Sequence, residues 1–164
     1  MRLFVAARPP AEVLDGLERL PRAAAAHVRW TTRDQWHVTL RFLGNVEDPG
    51  PVIRAVRDAV RDMGVCTATI GPAPIRLGRD VVALPVRGLD ELASAVIGST
   101  ADMGHRAGAR PFRGHLTLAR TKGGRVDLHA LDLDDAWTVD TVEVIRSHLG
   151  ANGARYETLE RCAL

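Results

Sequence analysis

Two histidines and two threonines recur in one four-residue pattern, His37-Val38-Thr39-Leu40 and His115-Leu116-Thr117-Leu118. Side chains of an extended segment alternate between faces, so each histidine shares a face with the threonine two residues on. An imidazole has an ordinary pKa of ~6.5 and holds either protonation state near neutrality. One ring can therefore take a proton from an attacking oxygen while the other gives one to a leaving oxygen, each transfer worth roughly 10²- to 10⁴-fold in rate. The neighbouring hydroxyls can donate to nonbridging phosphate oxygens as charge gathers there. A single His-x-Thr is ordinarily a solvated strand edge. Two copies in equal phase, each followed by leucine and about half the chain apart, point to one metal-independent phosphoester site.

The alternation makes further expectations. His37, Thr39 and Arg41 should share one face, with Val38, Leu40 and Phe42 on the other; His115, Thr117 and Ala119 should oppose Leu116, Leu118 and Arg120. Zinc is a rival use of the histidines, but the signatures offer only two ligands, with no H-E-x-x-H or paired-cysteine spacing. Cys66 and Cys162 read as two reduced thiols. His27, His105, His129 and His148 lack a repeated partner and read as surface or hydrogen-bonded histidines. Lys122 is the only lysine, and it lies with Arg106, Arg110, Arg113, Arg120 and Arg125 around the second signature. Guanidinium forks suit phosphate, which makes Arg41, Arg113 and Arg120 candidates for substrate contact. Tyr156 is a candidate ring for stacking on a base.

Hydrophobic periodicity supplies the scaffold. RLFVA reads as a buried strand, and a helix with Val13, Leu14, Leu17 and Leu20 on one side should follow Pro9-Pro10 and end at Pro21. HVRW leads through TTRDQ into the first signature strand. Pro49-Gly50-Pro51 opens a second helix that Gly64 stops. A strand at CTATI, a hairpin across Gly78-Arg79-Asp80, and a third helix from Leu89 to Met103 come next. An arginine- and glycine-rich loop delivers the second signature. VDLHALDLD, AWTVDTVEVIRSHL and ARYETLERCAL all alternate like strands. This predicts an α+β fold of two packed lobes of mainly antiparallel sheet flanked by helices.

The chain of 164 residues is 46% apolar and 26% charged, enough for a real core. It has no apolar run of the ~20 residues a membrane span needs and no export signal at MRLFVAARPP. It is expected to be soluble and cytoplasmic. A net charge of +2 does not advertise nonspecific nucleic-acid binding.

Four segments, RLFVAARPP, WHVTLRFLGNV, FRGHLTLAR and VEVIRSHLGANGARYETL, resemble the 2H phosphoesterase superfamily, in particular its RNA 2′,3′-cyclic phosphodiesterase branch, also called 2′-5′ RNA ligase. The similarity runs almost end to end; one departure is Gly114, where the family commonly has proline. The resemblance implies a single bilobal domain over 1–164, with two pseudo-symmetric lobes and a basic cleft between them, no cofactor and no metal. It also implies a monomer acting on RNA ends that carry a 2′,3′-cyclic phosphate, tRNA fragments among them. By analogy His37 protonates the departing 3′-oxygen and His115 activates water, while Thr39 and Thr117 hold the phosphate. Nothing local separates the two imidazoles, so these labels are exchangeable. If water attacks, the product is a 2′-phosphomonoester; if an RNA 5′-hydroxyl attacks, a 2′-5′ linkage. At ~55 M water hydrolysis should dominate unless solvent is excluded. The alternatives are another 2H reaction, on small cyclic nucleotides or 2′-5′ oligonucleotides, and a noncatalytic RNA-binding module.

Overall fold

The computed structural model describes residues 1–150 and 153–164. Ala151 and Asn152, within the last of the four resembling segments, lie outside them. The strands are β1 (Arg2–Ala7), β2 (Val28–Trp30), β3 (Val38–Asn45), β4 (Cys66–Ile70), β5 (Ile75–Leu77), β6 (Val81–Arg87), β7 (His115–Thr121), β8 (Asp135–Val139), β9 (Thr141–Gly150) and β10 (Gly153–Ala163). The helices are α1 (Ala11–Glu18), α2 (Pro49–Val60) and α3 (Asp90–Ser99). The strands run antiparallel in the order β10-β9-β1-β3-β7-β6-β4-β8, with β2 added to β7 and β5 to β6. This is the α+β architecture expected. Among the described residues no helix is long and apolar enough to cross a membrane.

The helices cover one face of the sheet. Val52, Val56 and Val60 of α2 recur every four residues and are buried, in a core that also takes Leu3, Val5, Val38, Leu40, Leu84, Leu116 and Leu118 from the strands. The Asp48 side chain accepts from the Gly50 N–H at 2.9 Å and caps α2. Gly64, with φ +73°, supplies the left-handed turn that follows. On the opposite, open face Phe4, Ala6 and Ile145 form a second small apolar cluster against which Tyr156 packs. The expected buried strand RLFVA thus feeds both faces.

Three sequence expectations fail for local reasons. The alternating run 126–134 is not a strand: the Asp127 side chain accepts the His129 N–H at 3.0 Å, and a turn returns the Leu131 N–H to the Leu128 carbonyl at 3.1 Å. Its leucines reach the core from a loop, with Leu131 buried. The segment after it is two strands, broken at Asp140, because β8 pairs with β4 while β9 pairs with β1 and β10. The third helix also stops earlier than Met103; past Ser99, the Met103 N–H turns back to the Thr100 carbonyl at 3.1 Å.

The two signature strands meet at the centre of the sheet, where Val38 of β3 pairs with Leu116 of β7. These are the middle residues of the two His-x-Thr triplets, so a local two-fold axis of the antiparallel pair relates one triplet to the other.

A bulge follows each triplet. β1 opposes Ala6 to Thr39 but Val5 to Arg41, leaving Leu40 unpaired; β6 opposes Ala83 to Thr117 but Val82 to Ala119, leaving Leu118 unpaired. An extra residue reverses the alternation beyond it. Arg41 therefore turns to the helix side and Phe42 to the open side, while Ala119 goes in and Arg120 comes out. This corrects the expected facing of all four.

Arg41 is buried. Its guanidinium donates to the Phe42 carbonyl at 3.1 Å, to Met103 at 3.4 Å and to the His105 carbonyl, tying β3 to the loop after α3. Replacing Arg41 with alanine leaves those carbonyls unpaired. The variant should lose about 2–4 kcal/mol in urea unfolding.

Candidate active site

The open face at the β3–β7 junction holds a cavity of about 440 Å³ lined by His37, Thr39, His115 and Thr117 together. All four retain some solvent contact. Their common setting follows from the central strand pair: Val38 and Leu116 point into the core with no exposure, so the residues on either side of each point to the cleft.

The two histidines are held alike. Nδ1 of His37 donates to the Gln35 carbonyl at 2.7 Å, and Nδ1 of His115 donates to the Arg113 carbonyl at 2.7 Å. A carbonyl only accepts, so Nδ1 carries the hydrogen in each ring. In a neutral ring Nε2 is then the free base. The His37 Nε2 lies 3.1 Å from the Thr39 hydroxyl, which donates to it.

Around these matching contacts the environments differ. His37 sits among aromatic rings, with centroids 4.8 Å from Phe4 and 5.1 Å from Tyr156, the latter edge-on at 90°. Burial pushes its pKa down to about 4 against the opposing Gln35 hydrogen bond; Arg8 and His115 push the same way, and Glu143 opposes. Glu143 is itself buried. Burial alone would raise its carboxyl, but hydrogen bonds from Thr158 at 2.7 Å, Arg161 at 3.1 Å and Arg8 at 2.9 Å outweigh it and hold the group below its ordinary value.

The other expected site residues divide. Arg120 and Tyr156 line the cavity; Arg41 does not, for the reason given above. Arg113 presents its backbone carbonyl to His115 and keeps its side chain in solvent, off the cavity wall. Residues that pattern reading passed over also line the cleft, notably Phe4, Arg2, Arg29, Thr31 and Gln35. Gln35 both positions His37 and donates from its side chain to the Ala154 carbonyl at 2.7 Å, joining the first signature to β10. The buried Thr31 hydroxyl lies 2.7 Å from the Thr117 carbonyl and 2.8 Å from that of the bulged Leu118, and accepts from the Trp36 indole at 2.9 Å. Among the described residues no three His, Cys, Asp or Glu side chains gather closely enough to hold a metal ion.

Residues 7–77 match the family model described as LigT like Phosphoesterase. In three dimensions the chain is similar to E. coli LigT crystallised with 3′-AMP, at 29% identity and a TM-score of 0.79, over 99% of this chain and 97% of that one. It is similar to a second crystal structure, described only as a phosphoesterase, at 29% identity and a TM-score of 0.82, over 99% and 97% of the two chains. The TT0787 protein of Thermus thermophilus, at 24% identity, shares the fold with a TM-score of 0.79 over 100% and 98%. No curated protein matches in sequence.

Proposed function

We propose that the chain, which matches the LigT like Phosphoesterase model over residues 7–77 and is similar throughout to solved phosphoesterases, is a 2H phosphoesterase that hydrolyses the 2′,3′-cyclic phosphate at an RNA end to a 2′-phosphomonoester. The observation that carries this reading is the convergence of both imidazoles and both threonine hydroxyls on one cleft about a local two-fold axis. In-line displacement at phosphorus needs a base on the attacking side and an acid on the leaving side, and a two-fold pair of histidines offers one to each. The relative whose structure holds 3′-AMP supports a nucleotide phosphate as the occupant.

The unequal surroundings favour His37 as the base, the reverse of the assignment by analogy. A ring held down to about 4 is neutral near pH 7 and has Nε2 free to take a proton. Water loses that proton to His37 Nε2 as its oxygen bonds to phosphorus. The P–O3′ bond breaks, and the 3′-oxygen takes a proton from Nε2 of the His115 imidazolium. Thr39 and Thr117 donate to the nonbridging oxygens, Thr39 rotating off His37 to do so. Exchange with solvent resets both rings.

Incubating an oligonucleotide that ends in a 2′,3′-cyclic phosphate and identifying the monoester tests this reading. A 2′-phosphate is expected. A 3′-phosphate, or no turnover of any cyclic phosphate, would overturn it. Appearance of a 2′-5′ linkage when a 5′-hydroxyl RNA is added would show ligation on the same site.

The pH dependence tests the assignment of roles. kcat/KM reports the free enzyme, so its acid limb should fall near pH 4, where His37 gains its proton. Opening the aromatic enclosure with Phe4→Ala should move the acid limb upward, toward the ordinary ~6.5 of an imidazole. An acid limb already near 6.5 in the wild type would return His37 to the role of acid. The same group sets a stability window. The unfolded chain binds the His37 proton below about 6.5 and the folded one only below about 4. Stability present above pH 6.5 is therefore lost as pH falls through that interval, by at most about 3 kcal/mol.

A further inference from the structure

We propose that Arg8 is a positioning residue for His37: anchored on the buried carboxylate of Glu143, it fixes the turn whose Gln35 carbonyl aims the His37 ring into the cleft. This adds a residue to the reading above, and the role of base for His37 rests on that reading.

The ring depends on a short chain of contacts. His37 lies one residue ahead of β3, and its Nδ1 donates to the carbonyl of Gln35, the last residue of a single 3₁₀ turn over Arg33–Gln35. Such a turn has poor hydrogen-bond geometry of its own, so outside ties decide where it sits. Arg8, the first residue after β1, supplies one. A terminal nitrogen of its guanidinium donates to the Asp34 carbonyl at 3.0 Å, within the turn, while Nε donates to Glu143 on β9 at 2.9 Å. The planar fork fixes the angle between those two bonds, which an ammonium does not.

Glu143 is built as an anchor. It is buried, and both of its oxygens are taken, one by Arg8 and Thr158 and the other by Arg161. A buried ion pair adds little stability over an apolar replacement, so packing alone gives no reason for a carboxylate here. Fixed to β10 through Thr158 and Arg161, it makes Arg8 a rigid post. The segment ahead of His115 has a backbone tie instead, from the Val86 N–H to the Gly114 carbonyl.

The charges act in the same direction as the geometry. The groups facing His37 are Arg8 after β1, His115 of β7, Glu143 of β9 and Tyr156 of β10, with Arg2, Arg29 and Arg120 on the cleft wall. Burial does most to keep the ring neutral; of the charges Arg8 acts furthest in that sense, ahead of His115, and Glu143 opposes. Removing the Arg8 cation therefore favours the imidazolium. Charge and geometry are lost together in Arg8→Gln. They separate in Arg8→Lys, which keeps the cation and loses the fork.

The test follows the His37 imidazole by NMR titration, which needs no turnover, beside kcat and KM near neutrality for an oligonucleotide ending in a 2′,3′-cyclic phosphate. In Arg8→Gln the titration midpoint of the ring should rise by about half a pH unit or more. Its kcat should fall about tenfold with KM within about twofold, because the ring is misplaced while Thr39 and Thr117 still hold the phosphate. Arg8→Lys should leave the midpoint near wild type and lower kcat by about threefold or more. Arg57→Gln, which breaks the ion pair with Glu160, should move neither. A merely structural Arg8 would lower unfolding stability and leave both readouts alone. An unmoved midpoint in Arg8→Gln, or wild-type kcat in either Arg8 variant, overturns the proposal; should Arg8→Gln fail to fold, Arg8→Lys decides it. If the wild type turns over no cyclic phosphate, the hydrolase reading falls and the titration still judges Arg8.

Discussion

Replacing His37 or His115 with alanine should lower turnover of a 2′,3′-cyclic phosphate by about 10²- to 10⁴-fold each, and the double variant should fall much less than the product of the two. Acid and base act in one transition state, so once either ring is gone the other has less to assist. The remaining rate should come from Thr39, Thr117 and the arginines of the cleft holding the phosphate. Neither ring is a structural keystone. Both sit on the open face, and the adjoining Val38 and Leu116 do the packing. The unfolding midpoint of the His115 variant should therefore stay close to wild type, while that of His37→Ala should fall because Phe4 and Tyr156 lose the ring packed between them. Nucleotide affinity should persist while turnover is lost. The measurement is a single-turnover rate beside a binding isotherm for 3′-AMP. If nucleotide binds but the wild type turns over no cyclic phosphate, the cleft is a receptor only. If both histidine variants keep more than a tenth of the wild-type rate, the paired-imidazole chemistry is wrong.

What the sequence made legible here was local and periodic. The period of two placed His37 with Thr39 and His115 with Thr117, and the recurrence of the triplet implied one site; both depend only on side-chain alternation within a strand. Periodicity gave the α+β class, and the two signatures together with the flanking segments gave the family resemblance; the family match over residues 7–77 and the structural similarities bear these out.

What stayed illegible was set by partner strands. Leu40 and Leu118 look like ordinary members of an alternating run, and nothing in either residue signals that β1 and β6 will skip it. The consequence was an inverted reading of Arg41, Phe42, Ala119 and Arg120. The matching position of the two bulges was a usable clue only once the triplets were aligned with each other. Phe42 is 40% exposed, an odd place for a core aromatic but a sensible one for a cleft wall. The enclosure of His37 was equally hidden, because Phe4 and Tyr156 come from opposite ends of the chain and meet across β1, β9 and β10.

The departure at residue 114 carries the other large effect. A glycine ahead of His115 suggests a looser backbone, but the structure gives it a different reason to be glycine. The Val86 N–H donates to the Gly114 carbonyl at 2.9 Å, and a Cβ built on residue 114 would come within 2.3 Å of the Val86 carbonyl oxygen and 3.3 Å of the Phe112 ring. The obstacle is backbone on a central strand, so it cannot swing aside as a surface side chain could. Gly114→Ala must push β7 away from β6 at the point where His115 begins. Overpacking of this kind costs about 1–3 kcal/mol. A displacement near 1 Å at a catalytic ring can cost about 10²-fold in rate. Both losses should appear together, in denaturant unfolding and in kcat, with KM changed less because Arg120 lies at the far end of β7. Gly114→Pro introduces the same Cβ and should be no better tolerated, even though proline is what the family commonly carries here. If Gly114→Ala folds with wild-type stability and turnover, β6 and the 112–114 segment do not approach as closely as the structure has them, and the positioning of His115 must rest on its Arg113 hydrogen bond alone.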